Sequence, residues 1–264
     1  MADLSSAIVE LNDLTIDRQW YLGTLAMKTL VFTVLMGAAK SSTGAKMMLD
    51  SARYHGIDVA AIDGTWTNNY DAKLVQSWRQ LKDRTGYSHI LFADGADTIF
   101  ATGLGELHHK FEQFNHPFVI AGEHFCWPFP QKYAATTPLQ QHRFRYLNAG
   151  FWMATWDGFQ DVFSKMLAIE DDGYSERGVT ISNDDQARFW RAWMEGVIDI
   201  RIDHECHLSQ CMAGLDERWS PESNDMLWGK RPQNKITKSF PCTFHCNGGG
   251  EKWRLKDIYE MTTL

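Results

Sequence analysis

The stretch "HILFADGADTIF" (His89 to Phe100) decides where this chain places its chemistry. It begins as an apolar strand, sets Asp94 and Asp97 three positions apart, and turns apolar again. Carboxylates that are forced together where a buried strand ends repel each other and lose hydration, so a basic side chain, backbone N–H groups or a divalent ion must compensate. The alternative is that Asp97 helps to cap the following turn while Asp94 is solvated. These residues alone leave both interpretations open.

Strands and helices alternate on both sides of this stretch. Apolar runs of strand length are followed by segments with apolar residues at helical spacing. The predicted strands are Leu30–Met36, Ile57–Ile62 and Pro117–Gly122, and the predicted helices are a segment ending near Tyr54, Tyr70–Gly86 and Gly103–Asn115. This order predicts an α/β fold with a mostly parallel sheet covered by helices on both faces. Ligands bind such sheets at the carboxyl ends of the strands, which is where Asp94 and Asp97 fall.

The composition is that of a globular protein and narrows the expected partners. The formal net charge of −7 supplies no long-range attraction to nucleic-acid phosphates or anionic lipids. The eleven tryptophans suit stacking on sugar rings or nucleobases, although they also suit a core. The most apolar run, Thr29 to Ala39, is about half the length that a membrane span needs, so it predicts a buried strand. We expect a cytoplasmic protein with reduced cysteines.

The cysteines offer one competing interpretation. Cys206, Cys211, Cys242 and Cys246 could form a zinc set, but their spacing is looser than that of paired C-x-x-C knuckles. Reduced, partly buried thiols are favoured, and a zinc-stabilised interaction protein stays open as an alternative.

A series of motifs in the second half resembles a known family. The segments are "AGEHFCWPFP" (Ala121 to Pro130), "RYLNAGFWMA" (Arg145 to Ala154), "ISNDDQARFW" (Ile181 to Trp190), "IRIDHECHLSQCMAG" (Ile200 to Gly214) and "FHCNGGGEKWRL" (Phe244 to Leu255). In order with D-x-x-D, they resemble the glycosyltransferase domain of the procollagen lysyl hydroxylases and related collagen glucosyl- and galactosyltransferases. The family pattern is F-x-D-x-x-D, A-E-x-F-C-W-P, F-L-N-S-G, D-D-Q, L-D-H and H-G-N-G. The resemblance covers roughly Thr29 to Tyr259.

The resemblance implies a GT-A type glycosyltransferase with a Rossmann-like, mixed and mostly parallel sheet and a smaller acceptor-side half. We expect an N-terminal extension at 1–27 and a single domain at 28–264, whose nucleotide-binding half is 28–122 and whose acceptor-side half is 123–264. The implied activity is metal-dependent transfer of glucose or galactose from a UDP-sugar to a hydroxyl group. The acceptor stays open between a glycan, a peptide, a small molecule and a modified nucleic-acid base.

The implied metal ligands are Asp94, Asp97 and His245, which match the family's metal-binding residues. Two carboxylates and a neutral imidazole can hold Mn²⁺ or Mg²⁺ while diphosphate oxygens fill the remaining positions. The imidazole favours Mn²⁺, since Mg²⁺ prefers oxygen ligands. The alternative for His245 is an ordinary histidine at a strand end.

The implied donor contacts come from several segments. Besides Asp94, they are Lys73, Asn247, Gly248 and Lys252 near the phosphates, and Thr33 and Val34 at the uracil. In "NGGGEK", glycines let backbone N–H groups approach a phosphate and a lysine adds a point charge. A solvated helix lysine and a flexible glycine loop are the alternatives.

The implied reactive centre is the D-D-Q motif, in which Asp184 or Asp185 could accept the acceptor's proton or stabilise positive charge on the sugar. The alternative is that these aspartates cap a helix. Asn148 is expected to contact a sugar hydroxyl as part of the catalytic set. Further acceptor or sugar contacts are expected from Glu123, Trp127 and Gly150, while Asp203 and His204 could orient neighbouring groups.

Departures from the family limit the analogy. The dioxygenase region of the lysyl hydroxylases is absent from this sequence, so the resemblance implies no iron or 2-oxoglutarate chemistry. With no secretory signal expected, procollagen is not the expected acceptor. Two alternatives stay open: a phage-type transferase acting on hydroxymethylated DNA bases, against which the acidic charge argues, and a non-catalytic module that holds a nucleotide-sugar.

Overall fold

The computed structural model describes residues 28–64, 69–138, 141–214, 226–248, 252 and 254–263. The predicted N-terminal extension at 1–27 lies outside the described residues. No helix in the described part of the chain is long and apolar enough to cross a membrane.

The centre of the molecule is a nine-stranded mixed sheet. Its strands are β1 (Thr29–Met36), β2 (Val59–Gly64), β3 (His89–Ala93), β4 (Thr98–Phe100), β5 (Phe118–Glu123), β6 (Tyr146–Thr155), β7 (Arg201–Asp203), β8 (Ser209–Cys211) and β11 (Thr243–His245). The order is β2-β1-β3-β6-β5-β8-β11-β4, with β7 beside β5. Parallel pairs predominate, and the antiparallel ones are β3 with β6, β5 with β6, and β11 with β4. A separate two-stranded sheet joins β9 (Met226–Leu227) and β10 (Gln233–Asn234).

Helices cover both faces of this sheet. They are α1 (Thr43–Tyr54), α2 (Asp71–Leu81), α3 (Leu104–Gln113), α4 (Pro130–Tyr133), α5 (Trp156–Leu167), α6 (Asp185–Met194) and α7 (Arg254–Thr263), with a short 3-10 helix at Gly37–Ser41. The predicted α/β class, with a mostly parallel sheet between helical layers, is confirmed. Some predicted boundaries were wrong: the second strand is Val59–Gly64 instead of Ile57–Ile62, and the helix before β3 ends at Leu81, well before Gly86.

The core contains three hydrophobic clusters. Two of them lie on opposite faces of the sheet, because successive strand residues point to opposite faces, and the third includes Ile99 of β4 and Phe244 of β11. On β6, Trp152 packs in the cluster covered by α2, α5 and α6, whereas Phe151 and Met153 pack in the cluster covered by α1 and α3. Trp152 stacks on Phe118 with a centroid separation of 5.2 Å and on Phe92 at 5.7 Å. Large rings buried on both faces fix the sheet, each contributing about 1.5–3 kcal/mol.

The two predicted halves share one sheet, because β3 and β4 pair with β6 and β11. The assignment of nucleotide to one half and acceptor to the other stays a prediction. The register of β5 and β6 shifts after Ile120, which pairs with Trp152, so that Ala121 pairs with Asn148. This irregularity lies where the strands reach the candidate site.

Candidate active site

The ends of β3, β5 and β11 converge on a cleft of about 800 Å³. A smaller pocket of about 320 Å³ adjoins it at the end of β1, and the two share Tyr70, Lys73, Asp94, Asp97 and Lys252 among their lining residues. The cleft is therefore positioned at the carboxyl ends of parallel strands, as expected for an α/β fold.

Asp94, Asp97 and His245 meet between the two pockets. Each offers one ligand atom, and these atoms all lie within 4.8 Å of one another. His245 Nε2 is 3.6 Å from Asp94 Oδ2 and 3.4 Å from Asp97 Oδ1. The backbone holds both carboxylates in place, since Asp94 N–H donates to the Gly150 carbonyl at 2.8 Å and Cys246 N–H donates to the Asp97 carbonyl at 2.7 Å. The structure thus brings together the three residues that the motifs indicated as metal ligands.

Gly150 makes room for the imidazole of His245. A Cβ at this position would lie 2.0 Å from His245 Cε1 and 2.6 Å from Nδ1, distances that no side chain tolerates. Gly150 lines the cleft, so its predicted contact with a sugar stays a prediction. The structure gives the glycine a separate reason: the ring of a candidate ligand occupies its side-chain space.

Asn148 determines which nitrogen of His245 faces the carboxylates. Its Oδ1 accepts the Gly150 N–H at 2.9 Å, which identifies that atom as the amide oxygen, and it lies 3.0 Å from His245 Nδ1. Nδ1 therefore carries a proton and donates it to Asn148. Nε2, which faces Asp94 and Asp97, is left for a second proton or a cation.

This donor set fits a divalent ion. Two carboxylates and an imidazole nitrogen whose proton is held on the far side suit Mn²⁺ or Zn²⁺ better than Mg²⁺. The same carboxylates also favour a proton on the imidazole: burial lowers the pKa of His245, but Asp97 and Asp94 outweigh it, and the pKa is raised. Burial would also raise the pKa of Asp97, but the adjacent His245 outweighs it, so that pKa is lowered.

Two lysines balance the charge of the carboxylates. The ammonium of Lys73 lies 3.0 Å from Asp94 Oδ1 and 2.7 Å from Asp185 Oδ2. Burial lowers the pKa of Lys73, but Asp185 and Asp94 outweigh it and raise the pKa, so Lys73 is charged. Burial also raises the pKa of Asp94, against the influence of Lys73. Lys252 Nζ lies 3.5 Å from Asp97 Oδ2, and its side chain is half exposed toward both pockets.

Glu123 is buried at the end of β5 and binds the amides of three elements. Its carboxylate accepts Asn148 Nδ2–H at 3.2 Å, Gln186 Nε2–H at 2.5 Å and Asn247 Nδ2–H at 3.1 Å. Burial raises the pKa of Glu123 to about 7, against these hydrogen bonds. Because the side chain of Glu123 is only 3% exposed, its contacts in this structure are with neighbouring side chains. Its contact with a sugar stays a prediction.

Gln186 is a site residue to which the sequence analysis gave no role. Its Nε2 donates to Glu123 and, at 2.9 Å, to the Trp127 carbonyl, while its Oε1 accepts the Ala149 N–H at 3.1 Å. That N–H lies in the irregular part of β6 and takes no sheet partner there. The signal was present, since Gln186 is the third residue of the D-D-Q motif.

Asp184 and Asp185 both line the cleft and both take part in the start of α6. Asp184 is the N-cap and accepts the Ala187 N–H at 2.8 Å. Burial, followed by the charge of Asp185, raises the pKa of Asp184 to about 6. The capping interpretation therefore holds for Asp184, while Asp185 is paired with Lys73. The catalytic roles of both aspartates stay predictions.

The remaining predicted residues fall into two groups. Trp127, 39% exposed, lines the cleft with Asn247 and Gly248, whereas Val34 lines the smaller pocket. Thr33 lines neither pocket: it is 0% exposed and its Oγ1 would lie 2.6 Å from a Cβ on Gly95. Its contact with uracil stays a prediction.

Asp203 and His204 also lie outside the cleft lining. The carboxylate of Asp203 is fully buried and accepts N–H groups of His207, Leu208 and Ser209, so it orders the connection between β7 and β8. The ring of His204 bonds the Phe144 carbonyl at 3.0 Å. Their contacts are structural.

The four cysteines of the zinc alternative divide between two hydrophobic clusters. Cys206 and Cys246 lie in one, and Cys211 and Cys242 in the other. Within the described ranges, the one group of three or more His, Cys, Asp or Glu side chains that could hold an ion is the Asp94–Asp97–His245 group. The thiols of this structure do not converge on a common point.

The family of the PLOD GT domain matches residues 26–260 of this chain. The chain belongs to this family. The matched range contains every motif that carried the resemblance, so the predicted membership is confirmed and the protein is a glycosyltransferase by family.

Curated relatives agree. Procollagen-lysine,2-oxoglutarate 5-dioxygenase 2 of Mus musculus is 25% identical over 239 residues, and the Homo sapiens protein of the same name is 26% identical over 237 residues. Each alignment covers 84% of this chain and 30% of the relative. Procollagen-lysine,2-oxoglutarate 5-dioxygenase 1 of Bos taurus is 30% identical over 164 residues, 60% of this chain and 20% of the relative. The chain thus spans less than a third of the length of these relatives.

Among solved structures, the galactosyltransferase LgtC in complex with donor and acceptor sugar analogs is similar to this chain with a TM-score of 0.42 and 12% sequence identity. The similarity covers 89% of this chain and 97% of that chain.

Proposed function

We propose that this chain is a metal-dependent glycosyltransferase of GT-A type that moves glucose or galactose from a UDP-sugar to a hydroxyl acceptor. The observation that carries the proposal is the group of Asp94, Asp97 and His245 at the junction of two pockets, with the free nitrogen of His245 facing both carboxylates. A group of this chemistry between two compartments suits a donor diphosphate whose nucleoside and sugar lie on opposite sides.

The residues of the site have different proposed roles. Asp94, Asp97 and His245 Nε2 would hold Mn²⁺, or Mg²⁺, which when bound neutralises charge on the departing diphosphate. The ammonium groups of Lys73 and Lys252 lie beside the same carboxylates and add positive charge toward the phosphates.

We assign Asp185 the role of the base that accepts the proton of the acceptor hydroxyl. It lines the cleft, and its Oδ2 is held by Lys73 until a substrate competes for that lysine. Its carboxylate can take the proton from an acceptor hydroxyl while that oxygen bonds to the sugar carbon, from which the diphosphate departs with the bonding electron pair. The small apolar surface of Val34 and the turn supported by Thr33 are available to the nucleobase in the smaller pocket.

The test is calorimetric titration with UDP in the presence and absence of Mn²⁺. Asp94→Ala and Asp97→Ala should each weaken Mn²⁺-dependent UDP binding by tenfold or more, because a ligand to the ion is lost while the core is untouched. Asp58→Ala is the matched control, since Asp58 is exposed and forms no hydrogen bond or ion pair with any residue that the structure describes. UDP affinity that is the same with and without Mn²⁺ in all proteins would overturn the metal assignment.

A panel of UDP-glucose, UDP-galactose and UDP-N-acetylglucosamine with Mn²⁺, followed by mass spectrometry of released UDP, tests the donor. We expect slow hydrolysis of one of the two hexose donors. Metal-dependent binding of UDP with no turnover of any donor would favour the module that only holds a nucleotide-sugar.

A further inference from the structure

The charged side chains that line the cleft have partners inside the protein, with one exception in the described part of the chain. Lys73 and Lys252 pair with carboxylates, Asp184 caps α6, and Glu123 accepts three amides. The side chain of Arg177 forms no hydrogen bond or ion pair with any described residue, although it lines the same cleft as four aspartates. Its guanidinium is therefore available to a ligand.

Arg177 is the first central residue of a tight turn that two backbone hydrogen bonds close. Glu176 N–H donates to the Val179 carbonyl at 3.2 Å, and Val179 N–H donates to the Glu176 carbonyl at 2.9 Å. The central residues, Arg177 and Gly178, have φ angles of +54° and +79°. This is the geometry of a type I′ turn, in which a residue other than glycine, asparagine or aspartate is disfavoured at the first central position.

The turn is fixed to the cleft wall through Glu176. The carboxylate of this buried residue accepts the Gln131 N–H at 3.1 Å and the Lys132 N–H at 3.0 Å, both in α4, and the Tyr174 hydroxyl at 2.6 Å. α4 begins at Pro130, which also lines the cleft. Arg177 is thus presented on a supported element, which reduces the entropy that a ligand must overcome when it binds the guanidinium.

Arg177 lines a different part of the site from the two lysines that are proposed to meet the donor phosphates. Lys73 and Lys252 line both the cleft and the smaller pocket, whereas Arg177 lines the cleft alone. Trp127 and Phe125 share that distribution and are 39% and 49% exposed. Two exposed aromatic rings and a guanidinium that no described residue binds, all lining one cleft, suit a ring that carries a negative charge.

We propose that Arg177, Trp127 and Phe125 form an acceptor subsite for a ring bearing a carboxylate or a phosphate. The guanidinium binds the anion with two parallel N–H bonds, and the aromatic surfaces pack against the ring. This assignment rests on the proposed function, because it takes the cleft as the acceptor side of a transferase. The subsite predicts an anionic acceptor. The aspartates of the cleft, taken alone, would suggest a cationic acceptor, but they are paired inside the protein.

The experiment compares ligands that differ in one charge. Methyl glucoside, methyl glucuronide and methyl glucosaminide are neutral, anionic and cationic members of one series, and glucose 6-phosphate adds the phosphate form. Their binding to the protein with UDP and Mn²⁺ is measured by ligand-observed NMR titration. The variants are Arg177→Ala and Arg177→Lys, and the control is Arg79→Ala, which removes an exposed arginine on α2 outside the cleft.

We expect the wild type to bind the glucuronide or the sugar phosphate at least tenfold more tightly than the neutral glucoside. Arg177→Ala should abolish that preference, Arg177→Lys should retain part of it, and Arg79→Ala should retain all of it. Equal binding of the four ligands, no binding of any, a preference for the glucosaminide, or an anion preference that survives Arg177→Ala would overturn the subsite. If wild-type protein fails to bind UDP with Mn²⁺ at all, the proposed function is what fails.

Discussion

At the scale of the residue, Gly150 and His245 form a steric pair. We predict that Gly150→Ala displaces the imidazole, because the new methyl group would lie 2.0 Å from His245 Cε1. Mn²⁺-dependent UDP binding should fall by tenfold or more. Calorimetry measures it, with Gly229→Ala as the control, since a Cβ there meets nothing within 4 Å. Unchanged binding in Gly150→Ala would mean that His245 is not needed at the ion.

Glu123 gives a second prediction at this scale. Its carboxylate accepts Asn148 Nδ2–H, which leaves Asn148 Oδ1 to hold the proton on His245 Nδ1. Glu123→Gln presents an NH₂ group to a site with three amide donors, so one amide must rotate. We expect a shift of the His245 proton toward Nε2 and Mn²⁺ affinity about tenfold lower.

Nitrogen chemical shifts of the imidazole and a Mn²⁺ titration measure these two effects. Glu170→Gln, at an exposed position, is the control. A direct sugar contact by Glu123 predicts something else: the tautomer and the metal affinity would stay as in the wild type, and only turnover would change.

Motif order was sufficient to predict that Asp94, Asp97 and His245 belong to one site, because each lies within a short pattern that the family shares. The D-D-Q motif marked the position of Gln186 but gave no indication of its role, which depends on a backbone N–H that an irregular strand leaves without a sheet partner. Arg177 lies in no motif, and it stands out because no residue that the structure describes binds its side chain. Both properties depend on which elements the fold brings together.

At the scale of the element, the start of α6 combines a cap with a charge pair. Asp184 accepts the Ala187 N–H, so Asp184→Ala should lower the free energy of unfolding by about 1 kcal/mol. Asp185 bonds Lys73, so Asp185→Asn should keep Mn²⁺-dependent UDP binding yet depress transfer by about 10² or more. Urea unfolding and UDP release measure the two effects.

Thr155→Ala supplies the matched control, because Thr155 caps α5 by accepting the Gly158 N–H at 3.1 Å. It should cost similar stability and leave transfer unchanged. If Asp185→Asn turns over donor normally and merely melts earlier, then this aspartate serves the helix alone.

The local sequence predicts the presence of some strands but not their order and direction in the sheet. Apolar runs and helical spacing were enough to predict that β1, β3, β5 and the helices between them exist, although the glycine stop at Gly86 misplaced the end of α2. They could not indicate that β6 runs antiparallel between β3 and β5, because strand order is set by packing across the whole sheet. The register shift that places Asn148 opposite Ala121 has the same origin.

At the scale of the whole molecule, the site is built from buried groups whose charge the fold must accommodate. Burial raises the pKa of Glu123 to about 7, while in an unfolded chain that carboxyl titrates near pH 4.5. The folded state therefore holds a proton that the unfolded state releases between these values. Stability from Glu123 is full below about pH 4.5 and is lost as the pH rises toward 7.

Other groups oppose this trend. Burial lowers the pKa of His108 to about 4, so its contribution to stability increases as the pH rises through 4 to 6.5. The contribution of Glu123 is therefore measured as the difference in the free energy of unfolding between the wild type and a Glu123 variant, since His108 is the same in both.

We predict that the stability of the wild type relative to Glu123→Gln falls by roughly 1–3 kcal/mol between pH 5 and pH 7 in the presence of a chelator. Glutamine has no proton to lose, so the free energy of unfolding of Glu123→Gln lacks the pH-dependent contribution that the wild type loses over this range. Urea unfolding at both pH values measures the difference, and Glu170→Gln should track the wild type. A difference that stays constant over this range would mean that the Glu123 carboxylate is already ionised at pH 5, held by the three amides alone. Glu123 would then be a permanent anion at the centre of the cleft, and the three hydrogen bonds would outweigh its burial.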